Sequence, residues 1–190
     1  QRLDDSRAIR HAVDARTERA HQYDTRRFVS TNPLITAQIM FEILMYLFES
    51  YFDAGSYPEP DKLSRKLSAA GFEGDEISEA LTWLSALQQQ NPENYPASLE
   101  HAGQRHFAEL EQQRVSYEAR QFLLFAEQQH LISAVEREMI IDRAVALQQE
   151  NLALDKLKLI MLMVLWNRHQ DLDPLLIEEL LTPLHSAQLH

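Results

Sequence analysis

Glutamate and histidine three positions apart project from one face of a helix, and Glu127-x-x-His130 places such a pair inside a helical block. Helical di-iron centres use two pairs of this kind, joined by one glutamate from each of two further helices. The second copy here is Glu18-x-x-His21, in a segment of different character. With eight histidines and eighteen glutamates in the chain, about one such spacing arises by chance. The plainer reading puts His130 at the end of a helix, where a positive charge suits the negative pole of the dipole. Glu127 and His130 therefore stand as weak metal candidates, and no cofactor is expected.

A second concentration of charge lies at Glu136, Arg137, Glu138, Asp142 and Arg143. Glu138 and Asp142, i and i+4, have the spacing of a carboxylate pair for acid–base work. Each has an arginine beside it, however, and Met139, Ile140 and Val145 take the apolar side, so a solvated charged face is expected. The compact AGF turn at 70–72 gives its two flanking helices the outline of a helix-turn-helix. A recognition helix must offer Arg, Lys, Asn or Gln to base edges, whereas this one opens with Asp75, Glu76 and Glu79. Only Lys62, Arg65 and Lys66, on the preceding helix, could face a phosphate backbone. No nucleophile elbow, zinc-protease, P-loop or dinucleotide motif occurs. Catalysis has no positive support, and the chain is not expected to be an enzyme.

These side chains must be carried by helices. Four glycines in 190 residues are too few for a fold of tight hairpins or for phosphate-cradling loops. The absence of cysteine excludes disulfides, thiolate metal sites and cysteine nucleophiles. A chain of this length buries roughly 70% of its unfolded surface, and 45% hydrophobic residues are ample for that. Residues 1–39 carry seven arginines against five carboxylates; the other 151 carry eleven lysines and arginines against 24 carboxylates, a net of −13. So acidic a body repels nucleic acid at long range. No signal-peptide core opens the chain, and no apolar run reaches the roughly 18 residues of a membrane span. A cytoplasmic protein that meets no membrane is expected.

The strongest helical signal is Leu157–Trp166, apolar throughout except for Lys158. A helix apolar all round must be surrounded, and ten residues cover only about half a bilayer, so this one is expected to be buried in protein. The full pattern predicts an all-α fold, a compact bundle of about seven helices in two subdomains. A first helix over 36–53 turns Phe41, Leu44, Met45, Phe48 and Phe52 to one side, with Leu47 and Tyr51 widening the stripe. A second, 60–70, has Pro60 in its first turn and Gly71 as left-handed cap. A third, 75–89, has Asp75 as cap and Ile77, Leu81, Leu84 and Leu87 inward, with Trp83 alongside. These make an N-terminal unit over 40–90, and the proline-containing stretch 91–104 reads as a linker. The C-terminal bundle, 105–190, is expected to hold helices at 108–130, 134–149, 154–168 and from Pro174 to about Leu181. Phe122, Leu123 and Phe125 form the buried half of the first of these, and Ser133 with Glu136 forms a capping box on the second. Leu123 and Leu162 are expected to be deeply buried. Residues 1–39 read as a mobile or loosely docked extension with a thin helical stripe over Asp5–Tyr23, ending at Thr31-Asn32-Pro33.

Several of these blocks keep the order and wording of one family. MFEILMYLFESYF, LSAAGFEGDEISEALTWLSAL, RQFLLFAEQ, REMIIDRAVAL and LKLIMLMVLWNR, with the closing Leu189-His190, resemble the Smg family of bacterial proteins, whose function is unassigned. The resemblance covers Met40–His190. Departures are Gln121 where members commonly carry glycine, Leu159 where tryptophan is usual, and an aromatic element reduced to Arg105-His106-Phe107. Met40 sits where members usually begin, so residues 1–39 are either a true extension or upstream sequence joined by a wrong start. The resemblance brings no established catalytic activity or site with it, and implies a gene context beside DNA processing and topology.

Helices two and three are also similar to a ubiquitin-associated-type unit, whose loop and last helix form a shallow apolar protein-binding surface. Phe72 and Trp83 are the anchors such a surface would use, aromatic residues being enriched at binding hot spots. The plainer reading is that both fill a seam against the C-terminal bundle. The leading expectation is a non-catalytic interaction or regulatory protein with an unknown protein partner. The alternative is an accessory nucleic-acid protein that uses Arg7, Arg10, Arg16, Arg19, Arg26 and Arg27. A helical metalloenzyme built on Glu127 and His130 comes third.

Overall fold

The sequence's proline and cap signals set most of the helix ends in the computed structural model, which describes residues 33–52, 59–101, 105–169 and 171–182. Eight α-helices occur among the described residues: α1 Pro33–Tyr51, α2 Pro60–Ala69, α3 Gly74–Gln88, α4 Glu109–Arg114, α5 Tyr117–Gln128, α6 Ala134–Ala146, α7 Leu154–Arg168 and α8 Pro174–Leu181. The fold is all-α. The arginines from Arg7 to Arg27, the Glu18–His21 spacing and the stripe over Asp5–Tyr23 lie outside the described residues.

Pro33 opens α1 rather than breaking the chain, because its fixed φ and missing N–H suit a first helical position. Residues 33–39 are thus helical, three residues more than the start expected at 36. Met40, Phe41, Ile43, Leu44, Leu47, Phe48 and Tyr51 are buried, while Met45 and Phe52 are only partly so. Gly71 closes α2 at φ +98°, with its own N–H donating to the Ser68 carbonyl and that of Phe72 to Leu67, a Schellman cap. Helix α3 begins at Gly74 rather than at a cap on Asp75. The Glu76 carboxylate reaches back to the Glu73 N–H at 2.8 Å, which leaves Asp75 free inside the first turn.

The predicted helix over 108–130 is two helices. Val115 is fully buried and makes an isolated parallel bridge with Leu152, which pulls the backbone out of the helix. The Ser116 N–H donates to the Leu152 carbonyl, and its hydroxyl accepts from Ala119 N–H to start α5. With α5 starting at Tyr117, its inward face is Ala119, Leu123 and Ala126. Phe125 lies about 200° around from Leu123 and is 53% exposed, contrary to expectation.

Helix α7 is the centre of the bundle: every residue from Leu157 to Trp166 is buried, and α6, α8, α5 and α3 pack around it. Leu123 and Leu162 are fully buried, as expected. Lys158, 1% exposed, is buried with them. Its Nζ donates to both the backbone carbonyl and the carboxylate of Glu179 at 3.0 Å, and lies 5.1 Å from the Phe122 ring. It thereby satisfies an orphan carbonyl in the last turn of α8 and holds that helix on α7. Trp166 packs edge-on against Phe48 of α1 at 5.4 Å.

The described residues from Ala37 onward form one compact unit with a continuous core. Residues 90–101 are tied to α6: the Gln90 amide donates to the Met139 carbonyl, and the Tyr95 hydroxyl to Asp142. The Asn167 amide likewise joins α7 to the Leu87 carbonyl of α3 at 3.2 Å.

Candidate interaction groove and the charged seam

One side of α3 is built from short side chains. Asp75, Ser78, Glu79, Thr82 and Ala86 fall at i, i+3, i+4, i+7 and i+11, one face of a helix, opposite the buried Ile77, Ala80, Leu84 and Leu87. That face borders an open groove of about 550 Å³ whose other walls are Met40 of α1 and Arg143, Ala146 and Leu147 at the end of α6. Trp83 forms the floor. It is 5% exposed, and its Nε1 donates to the Arg143 carbonyl at 3.1 Å, fixing α3 to α6. Asp75 and Glu79 have no ion-pair or hydrogen-bond partner for their carboxylates among the described residues. Arg143 Nε is buried and finds no acceptor there either.

The expected aromatic pair divides. Trp83 is a groove floor rather than a protruding anchor. Phe72 is half-buried on the α2–α3 turn, edge-on to Tyr46 at 6.3 Å, and does not line the groove. The basic residues of α2 are engaged locally: Lys62 faces Glu59 at 3.9 Å, Arg65 Nε donates to the Asp61 carbonyl, and Lys66 lies over the Tyr51 ring.

The charged stretch of α6, expected to be a solvated face, is instead a partly buried seam. Arg137 is 4% exposed and joins Glu127 of α5 to Glu138, with its Nη2 2.7 Å from Glu138 Oε1. Glu138 then meets Arg105 at 2.9 Å, and Arg105 meets Glu111 of α4 at 2.7 Å. Glu111 also caps α4 by accepting from the Ala108 N–H. Three carboxylates and two guanidinium groups thus alternate across α4, α5 and α6. Burial alone would raise the Glu138 carboxyl, but Arg105 and Arg137 overcome it and hold the group below the usual carboxylate range. Glu138 and Glu111 in turn hold Arg105 further toward its charged form.

Glu136, 6% exposed, completes the capping box with Ser133 and takes Arg168 at 3.2 Å and His169 at 2.6 Å on one oxygen. Burial opposes its charge, but the Ser133 N–H, His169, the Ser133 hydroxyl and Arg168 together lower its pKa. Asp142 is not paired with Glu138, because it accepts from the Tyr95 hydroxyl. Burial, then that bond to Asp142, raises the Tyr95 phenol.

Glu127 and His130 do not share a helix face. Helix α5 ends at Gln128, and His130 is exposed at φ +58°, in the left-handed position of a second Schellman cap. Glu127 is committed to Arg137. Among the described residues no three His, Asp or Glu side chains converge as metal ligands. Nor is any helix there long and apolar enough to cross a membrane.

The family model described as "Protein of unknown function (DUF494)" matches residues 40–190. The Protein Smg homolog of Azoarcus sp. is 48% identical over 144 residues, 75% of this chain and 93% of that protein. Those of Nitrosomonas europaea and Bordetella pertussis are 42% and 40% identical, each over 80% of this chain and their whole length. No solved structure matches the chain. Matches of this extent, running through every helix from Met40 onward, place the chain in the Smg family, whose function is unknown.

Proposed function

We propose that this chain is a non-catalytic interaction or regulatory protein whose groove between α1, α3 and α6 receives part of another protein. One observation carries this reading: the groove joins an apolar floor to two carboxylates that form no ion pair with the described residues. Elsewhere on α6, Arg137 and Glu138 are taken up in ion pairs with Glu127, Arg105 and each other. A setting in the cytoplasm beside DNA-processing machinery accords with the gene context that the family resemblance implies.

The test is a photo-crosslinking amino acid placed at Thr82, in the groove, and in parallel at Gln121, exposed on α5. Discrete protein adducts are expected from Thr82 in living cells, absent from Gln121 and lost when Ser78→Trp fills the groove. Identical adduct patterns from the two positions, or none from Thr82, would overturn the reading.

A further inference from the structure

Resting on that reading, we infer that the occupant is an amphipathic α-helix of a partner protein, with an apolar stripe and lysine or arginine at the end meeting Asp75 and Glu79. The groove's own shape argues for a helix. Its α3 wall runs from Asp75 to Ala86, about 17 Å or three helical turns. Ser78, Thr82 and Ala86 on α3 and Ala146 on α6 are small, which lets a second helix approach closely above the Trp83 floor. Its bordering residues are helical except Leu147, just past the end of α6, and no sheet edge is offered to an extended peptide. An occupant that covers apolar wall must satisfy its own backbone, and a helix does so.

Charge sets the polarity. Asp75 and Glu79 are an i,i+4 like-charge pair, an arrangement that slightly destabilises a helix. The dipole at the start of α3 accounts for Asp75 in the first turn, but its influence has faded by Glu79. Both carboxylates border the groove without a partner, within a stretch from Met40 to His190 of net charge −13, so a cationic end is favoured there. Arg143, which lines the opposite wall, suits an acceptor on the occupant's other flank.

The experiment uses the full chain and two fluorescent peptides of about 16 residues, both helical with one leucine stripe. One carries lysines at one end and the other glutamates at the same positions. Anisotropy should show the lysine peptide binding at least about ten-fold more tightly, with an advantage that shrinks as salt rises. The double variant Asp75→Lys/Glu79→Lys should reverse the preference, and Ser78→Trp should weaken both peptides, with circular dichroism checking that each variant is folded. Equal binding of the two peptides, or no reversal, overturns the charge assignment. If neither peptide binds while Thr82 still yields adducts, the helical occupant is wrong and the interaction reading stands; if both fail, both fall. A dimer in sedimentation that Ser78→Trp dissolves would make the occupant a second copy of this chain and overturn the partner helix.

Discussion

The α6 seam and the α3 groove carry charge in opposite ways. On α6, Arg137 and Glu138 are shielded, and every charge from Glu127 to Glu111 is matched by the next. On α3, Asp75 and Glu79 are exposed, unmatched and set beside apolar surface. Two helices with three carboxylates apiece, only α6 carrying arginines, therefore hold their charge differently. A charge buried beside its partner holds elements together, because removing either member strands the other in a poor solvent. A carboxylate left unpaired on a groove edge adds almost nothing to stability and remains available to a partner.

The difference can be broken most forcefully in the seam. Glu138→Gln removes the carboxylate that both Arg105 and Arg137 use, and should cost about 3–5 kcal/mol of unfolding free energy in urea titration. Glu79→Gln should stay within about 0.5 kcal/mol of the parent. The seam also sets the acid response. Glu136 and Glu138 have lower pKa values folded than unfolded, so their contribution is complete above the ordinary carboxylate range. It is lost as pH falls through the depressed values, and the Glu138→Gln curve should be flatter on that limb. Leu162→Ala, beneath both regions, should cost about 2–5 kcal/mol by leaving a cavity in the centre of the bundle.

Trp83→Phe keeps most of the groove floor but strands the Arg143 carbonyl, for about 1 kcal/mol. Its sharper readout is faster amide exchange where α3 meets α6. The smallest effect is a gain. His130→Gly relieves a left-handed residue and should stabilise the protein by about 1 kcal/mol in thermal unfolding. A loss of stability there would show that the His130 ring contributes something other than a cap.

Helix positions were legible because Pro60, Gly71, Ser133 and Pro174 act locally, through φ and single hydrogen bonds. The break at Val115–Ser116 was not, since both halves keep a helical pattern and only the bridge to Leu152, 37 positions on, interrupts it. The buried seam escaped for the same reason. Arg137 looks like any surface arginine until Glu127 arrives from another helix. Lys158 stood out as the one charge in an apolar run, but its partner Glu179 lies on a separate helix. The groove was half legible: Trp83 is conspicuous in sequence, whereas Asp75, Ser78, Glu79, Thr82 and Ala86 become a wall only when α6 is placed opposite. A helical-wheel count of small and polar residues on α3 would have found that face.

The contrast between the two regions is tested most directly by Glu79→Lys and Glu127→Gln, each measured for unfolding free energy and for adduct yield from the Thr82 crosslinker per folded molecule. The expected result is a double dissociation: Glu79→Lys keeps its stability and loses the adduct, whereas Glu127→Gln loses stability and keeps it. Adducts that ignore Glu79→Lys, or a seam variant that abolishes them while still folded, would contradict the division of labour between groove and seam.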